Sequence, residues 1–183
     1  MTRSFLTIAL VAALLAFLSS KGWAEDVVFF NFLEEDNVYS FNGCFFVEAD
    51  PLVAWDVLTD YNHLSQFVSN MSGHLKRRTG NDLLLEQTVG GGFLFIREEV
   101  KAFLEVHEEP FHDLFFKDVS RKHFDFYQGH WSVQPYKDGG LKVEYALEAK
   151  RNLSTPGFVK GELFKTSTRD LMVQMRKEML RRQ

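Results

Sequence analysis

The chain has 183 residues, of which 45% are hydrophobic and 15% aromatic, with 19 Phe, 3 Trp and 5 Tyr, and its formal net charge is −4. That length suits one domain with a sizeable core, and an acidic chain with no long basic block is a poor binder of nucleic acid by counterion release. The one cysteine, Cys44, excludes an internal disulfide framework, and no motif implies a cofactor.

At the N-terminus Arg3 precedes an apolar run from Phe5 to Leu18, followed by Ser19-Ser20-Lys21 and the small residues Gly22 and Ala24 around Trp23. This order of charge, apolar stretch and small residues is that of a secretory signal peptide, residues 1–24, with cleavage expected after Ala24. The run is short for a membrane span, although retention as an anchor is the alternative. Cleavage removes Arg3 and Lys21 and no acid, so the net charge moves from −4 to −6. The protein is then expected to be exported, most simply to a periplasm, with residues 25–37 as an extension before a domain at 38–183. Cys44 falls in a predicted strand, where a small buried hydrophobe is the simplest reading. The sequons at Asn70 and Asn152 carry meaning only in a eukaryotic secretory pathway.

Residues 38–48 read as a strand with Tyr39, Phe41, Gly43, Phe45 and Val47 on one face. Asp50 before Pro51 is a cap followed by a first-turn proline, so a helix is predicted over 51–59 with Leu52, Trp55 and Leu58 on its apolar face. A second short helix is predicted around His63–Phe67. From Ser72 to Arg151 the chain reads as antiparallel strands broken at Gly80-Asn81-Asp82, Gly90-Gly91-Gly92, Glu109-Pro110 and Asp138-Gly139-Gly140. The strand 141–150 alternates cleanly, with Leu141, Val143, Tyr145, Leu147 and Ala149 on its apolar face. Between Phe124/Phe126 and Trp131/Val133 the apolar parity changes, which predicts a bulge near Tyr127–Gly129. After Pro156-Gly157 a long helix to about Arg182 carries Phe164, Thr168, Leu171, Met172, Met175 and Met179 at spacings of three and four. The pattern is α+β.

Several stretches together resemble the START-like helix-grip superfamily, within it the polyketide cyclase/dehydrase or coenzyme Q-binding START-domain branch. They are Phe45-Phe46-Val47-Glu48-Ala49, the segment Trp55-Asp56-Val57-Leu58-Thr59-Asp60-Tyr61, Phe126 with Gly129-His130-Trp131, Tyr145-Ala146-Leu147-Glu148-Ala149, and the terminal helix. The resemblance implies a curved antiparallel sheet of about seven strands around the C-terminal helix. It further implies a cavity for a small hydrophobic ligand such as a lipid, a quinone or a polyketide. Fold alone does not choose among these.

Candidate lining residues are Phe124, Phe126, Trp131 and Tyr145 from strands and Phe164, Leu171, Met172 and Met175 from the helix, aromatic and thioether groups suited to an apolar guest. Ordinary core packing is the competing reading for each of them. Trp55 and Tyr61 read as structural, closing the corner after the first helix. Two catalytic candidates stand beside these. Glu98 interrupts the series Leu94, Ile96, Val100, Ala102 and Leu104, so an inward face would put a carboxylate beside the cavity unless a bulge turns it out. His130 could join a proton-transfer site through the bulge. His123, Asp125 and His130 lack any metal-ligand spacing, so no metal site is expected. No GxSxG elbow is present, and the triple glycine lacks the lysine of a phosphate loop.

Arg169, Arg176, Lys177, Arg181 and Arg182 collect toward the end of the last helix, where cations favour the helix dipole. The same cluster could touch an anionic membrane surface transiently. The sequence thus points to an exported carrier of a hydrophobic ligand, with a cyclase/dehydrase-type enzyme and an interaction module with a filled core as alternatives. A continuous cavity above about 300 Å³ is the expected mark of ligand binding. An inward ionisable cluster would mark catalysis, and a solid core would exclude both.

Overall fold

Eight antiparallel strands make a single sheet in the computed structural model, which describes residues 28–91, 98–152 and 161–183. The proposed signal peptide lies outside the described residues. The elements are β1 (Val28–Glu35), β2 (Val38–Val47), α1 (Pro51–Thr59), a 3-10 turn (Tyr61–Gln66), β3 (Met71–Thr79), β4 (Asp82–Gly91), β5 (Glu98–Glu109), β6 (Asp113–Asp118), β7 (Phe124–Pro135), β8 (Leu141–Arg151) and α2 (Gly161–Arg181). Spatial order is β1-β2-β8-β7-β6-β5-β4-β3, so β3 to β8 form a meander and β2 closes against its last strand. The long helix packs on the face where β8 presents Leu141, Val143, Tyr145, Leu147 and Ala149, all buried. This is the helix-grip α+β architecture.

The sheet has one strand more than the seven expected. Residues 28–35 fall in the stretch read as an extension, yet they pair along their whole length with β2, from Val28 opposite Phe45 to Glu35 opposite Val38. Asp36 and Asn37 make the turn, both at positive φ (49° and 64°), a conformation that Asp and Asn tolerate and that suits the twist of a two-residue hairpin.

Local signals account for the connection from β2 to β3. Asp50 accepts a hydrogen bond from the Leu52 amide at 2.7 Å, and Pro51 occupies the first turn, where its missing N–H costs nothing. The helix buries Ala54, Trp55, Val57 and Leu58 and ends at Asp60, beyond which the 3-10 turn buries Tyr61 and Leu64. The chain then passes so close to β3 that a Cβ on Gly73 would stand 2.5 Å from the Tyr61 carbonyl oxygen.

The β7 irregularity is two residues earlier than the sequence reading put it, with the register shift between Phe124 and Phe126. Phe124 is buried, whereas Phe126 pairs with Lys150 and is only half-buried, and Tyr127 takes the inner face with Ala149 opposite. On α2 the stripe of Phe164, Thr168, Leu171, Met172, Met175 and Met179 is buried as its spacing requires. Met172 and Met179 are completely buried, each worth roughly 1.5–3 kcal/mol of apolar burial.

Candidate functional site

Two small chambers lie between the sheet and α2. One, of about 80 Å³, is bounded by Val89 and Val100 on β4 and β5, Phe124 on β7, and Phe164 and Thr168 on the first turns of α2. The other, of about 60 Å³, lies toward the corner between Leu58, Tyr61, Leu64, Trp131 and Met175. Met71, Gln87, Tyr127, Tyr145 and Leu171 line both, so they form the partition. Neither chamber approaches the 300 Å³ expected of a preformed ligand cavity. The core is not solid, but its free space is divided by flexible side chains.

Six of the eight lining candidates border this space: Phe124 and Phe164 the larger chamber, Trp131 and Met175 the smaller, Tyr145 and Leu171 both. Phe126 does not, because the register shift gives the position to Tyr127. Met172 does not either; it packs under β2, where a Cβ on Gly43 would come within 2.9 Å of its Sδ. Small size at residue 43 lets the helix approach the strand.

Tyr145 is the centre of an aromatic belt, 4.2 Å from Trp131, 6.1 Å from Phe116 and 6.2 Å from Phe41 between ring centroids. Its hydroxyl has that of Tyr127 as a neighbour, and the Tyr127 ring lies 5.2 Å from Phe124. Burial pushes Tyr127 up to about 12, a rise that the Tyr145 hydroxyl reduces; burial and the neighbouring Tyr127 drive Tyr145 well above an ordinary phenol. Both are therefore neutral hydroxyls across the physiological range. Among the described lining residues of the two chambers there is no Lys, Arg, His or Glu, and the one carboxylate is Asp60.

Asp60 is already occupied. Arg182 Nη2 donates to it at 2.8 Å, and His63 Nδ1 lies 2.7 Å from its other oxygen. Burial raises its pKa, but these two partners outweigh burial and the carboxyl ends up below its ordinary value. The second arm of Arg182 joins Arg181 around Glu178, on the buried side of α2, with N–O distances of 2.7–2.8 Å. Arg181, against the upward push of burial and with Arg182 adding to it, holds Glu178 down to about 2. Arg176 donates to the Phe46 carbonyl at 2.8 Å. Arg176 and Arg182 thus tie the end of α2 to the rest of the fold.

A second buried carboxylate closes the same corner. Glu108, 5% exposed, accepts the Tyr61 hydroxyl at 2.7 Å and both arms of Arg78 at 2.8 and 2.9 Å. Burial, then the bond and charge of Glu108, push Tyr61 far above the ordinary phenol value. This trio is absent from the sequence reading. Its signal was the inward alternation Val100, Ala102, Leu104, Val106, which continues to Glu108. By backbone register Glu98, opposite Gly91, belongs to the same series at the strand's first residue, but its side chain lies outside the described residues.

His130 belongs to the other face of the sheet. It sits 5.8 Å from the exposed Phe115 ring and borders an open concavity of about 870 Å³ on the outer surface, with Arg77, Glu105, Lys117 and Glu148. Lys117 pairs with Glu105 at 2.9 Å and His107 with Asp82 at 2.7 Å around it. The alternation of a regular strand puts His130 opposite Trp131, so it cannot serve an inner site. Asp125 is exposed, and among the described residues no three of His, Cys, Asp and Glu come together as a metal site would require.

Residues 47–176 match the family described as polyketide cyclase/dehydrase and lipid transport. The chain belongs to this family. No curated protein matches it. Among solved structures it is similar to a STAR-related lipid transfer protein from Xanthomonas axonopodis, at 16% identity over 86% of this chain and 97% of that one, with a TM-score of 0.65. The Zhui aromatase/cyclase from Streptomyces sp. R1128 gives 10% identity, 79% and 95% coverage and a TM-score of 0.65. The human StarD13 lipid transfer and protein localization domain gives 10%, 98% of each chain and 0.63. At these identities the likeness is one of fold, and family membership indicates hydrophobic ligand binding or polyketide cyclase-type function.

Proposed function

We propose that the protein is an exported carrier that holds a small hydrophobic molecule, without covalent attachment, between the sheet and α2. The observation that carries this reading is the pair of apolar chambers divided by Met71, Gln87, Leu171 and the two tyrosines. Methionine and leucine side chains can swing aside to merge the chambers around a slim guest, and apolar burial at about 25 cal/mol per Å² then supplies the affinity. Export rests on the N-terminal pattern of Arg3, apolar run and Ala24. Among the described residues no helix is long and apolar enough to cross a membrane. Transient contact with anionic headgroups is supported by Lys177 and by Arg181, both exposed at the end of α2.

The cyclase-type reading rests on Glu98, whose register position continues the inward series of β5. Native mass spectrometry with organic extraction, on protein isolated from its own compartment, separates these readings. A reproducible hydrophobic molecule released unchanged at one per chain is expected of a carrier. Repeated mild preparations that yield nothing, or a molecule chemically altered on incubation, would overturn the carrier reading. N-terminal sequencing should begin at Glu25; a chain starting at Met1 in the membrane fraction would overturn export.

A further inference from the structure

The chambers are apolar with a few polar side chains gathered in one place. A guest that merges the two must pass the partition, and the partition is where the polar atoms are. Tyr127 and Tyr145 line both chambers with their hydroxyls as neighbours, and Gln87 adds its carboxamide, whose Nε2 has, among the described residues, the Met71 sulfur at 3.4 Å as its partner.

Counting protons shows what this group can offer. Two phenols carry two protons, and neighbouring hydroxyls can spend no more than one on each other, so at least one O–H and several lone pairs remain for a third party. Gln87 can likewise give up a thioether contact, a weak acceptor, for a better one. Charge matters as much. Among the described lining residues there is no cation, and Asp60 is consumed by Arg182 and His63. A carboxylate or phosphate guest would therefore be buried without a counter-charge, and so would an ammonium, at a cost of several kcal/mol. A guest with no polar atom would leave the tyrosine proton without an acceptor once water is displaced.

Building on the carrier function proposed for the protein, we infer that the chambers select a neutral, slim, mainly aliphatic molecule bearing one oxygen function. That function is a ketone, ester carbonyl or alcohol, bound at the partition by Tyr127, Tyr145 and Gln87. Ionised fatty acids and phospholipid headgroups are excluded from this position.

The test uses 2-octanone, octane and octanoate as probes of one length, followed by tryptophan emission, since Trp131 stands in the chamber wall 4.2 Å from Tyr145. Wild-type protein is expected to bind 2-octanone roughly tenfold tighter than octane, the worth of one buried hydrogen bond, and octanoate at neutral pH more weakly than either. Tyr127→Phe and Tyr145→Phe should each abolish most of that tenfold preference, 2-octanone binding more weakly and octane, relieved of an unpaired hydroxyl, as tightly or tighter. Gln87→Leu provides a variant of different shape if a tyrosine change unfolds the protein, as judged by its thermal midpoint. Equal affinity for octane and 2-octanone, unmoved by these changes, overturns oxygen recognition and leaves the carrier reading standing. Octanoate binding as tightly as 2-octanone overturns the exclusion of anions. Failure of all three probes to bind folded protein overturns this inference, and the extraction experiment then judges the carrier reading independently.

Discussion

The corner where α1 and the 3-10 turn meet β3, β5 and the end of α2 is held by charge, whereas the chambers beside it are held by dispersion and one pair of hydroxyls. At the corner, Glu108 gathers Arg78 and Tyr61, and Arg182 bridges Asp60 to Glu178. Such charge-assisted bonds are short and directional, so they fix one arrangement. Under the first half of α2 the walls are mainly apolar, with Phe, Leu, Met and Val side chains whose contacts are individually weak and can be exchanged. A protein that must admit a guest without losing its fold is well served by this division. The C-terminal half of α2 is pinned, also through Gln174 to the Ser69 amide at 2.6 Å, while its first turns over the larger chamber can yield.

The strongest way to break this contrast is at Glu108. Glu108→Ala leaves the Tyr61 hydroxyl buried without an acceptor and Arg78 without its carboxylate. Because Arg78 is 40% exposed and can turn to water, the loss is set at about 3 kcal/mol, the low end for breaking a buried ion pair. The denaturant midpoint reports it, and a change under about 1 kcal/mol would show that the corner is not held by charge. Gly73→Ala comes next. Its Cβ would meet the Tyr61 carbonyl oxygen, which is backbone and cannot swing away, so about 2 kcal/mol is expected. Gly43→Ala is the control from the yielding side. There the nearest atom is the Met172 thioether at 2.9 Å, ahead of the Phe41 ring at 3.0 Å and the Phe29 carbonyl oxygen at 3.1 Å, and the expected cost is about 1 kcal/mol, the low end for overpacking. Equal costs at the two glycines would erase the distinction between the regions.

Much of the architecture was legible because it is written in periodicity. The alternation from Leu141 to Ala149, the cap at Asp50-Pro51 and the stripe from Phe164 to Met179 each specify an element without knowledge of the rest. β1 escaped because Phe29 and Leu33 on its outer face are as apolar as its inner residues, so no alternation marks it as a strand. Phe126 and Tyr127 exchanged roles because the place of a bulge depends on neighbouring strands, and a shift of one residue inverts every later side chain. Glu108 was missed for a different reason. A carboxylate reads as surface unless its partners are known, and Tyr61 and Arg78 lie 47 and 30 residues away. Chamber size has no sequence signature at all. It depends on how far α2 stands from the sheet, which Gly43 and Met172 set together.

A change of the opposite kind sharpens the chamber side of the contrast. Leu171 lines both chambers, and Leu171→Trp fills them with an indole. Because free space already exists there, the change in stability should stay within about 2 kcal/mol, the range for overpacking a tolerant site. Extraction of the purified variant should then recover little or none of the molecule found in the wild type. Undiminished recovery would place the guest somewhere other than beneath α2, with the outer concavity around His130 as the site to examine.

A small effect comes from acid. Glu178 has a folded-state pKa near 2 against an ordinary 4.5, so its depressed value stabilises the fold above the ordinary value and that contribution is lost as pH falls from about 4.5 toward 2. Asp60 is lowered in the same direction and adds to the loss in the acid range. The partner Arg181 is 69% exposed, so solvent screening limits what the pair contributes, and about 1 kcal/mol is expected over this range. Glu178→Gln should flatten the stability profile below pH 4.5 relative to wild type while leaving 2-octanone binding at neutral pH unchanged. If the variant instead bound the probe more weakly with its acid profile intact, the charged end of α2 would be part of the ligand site and the two regions would be one.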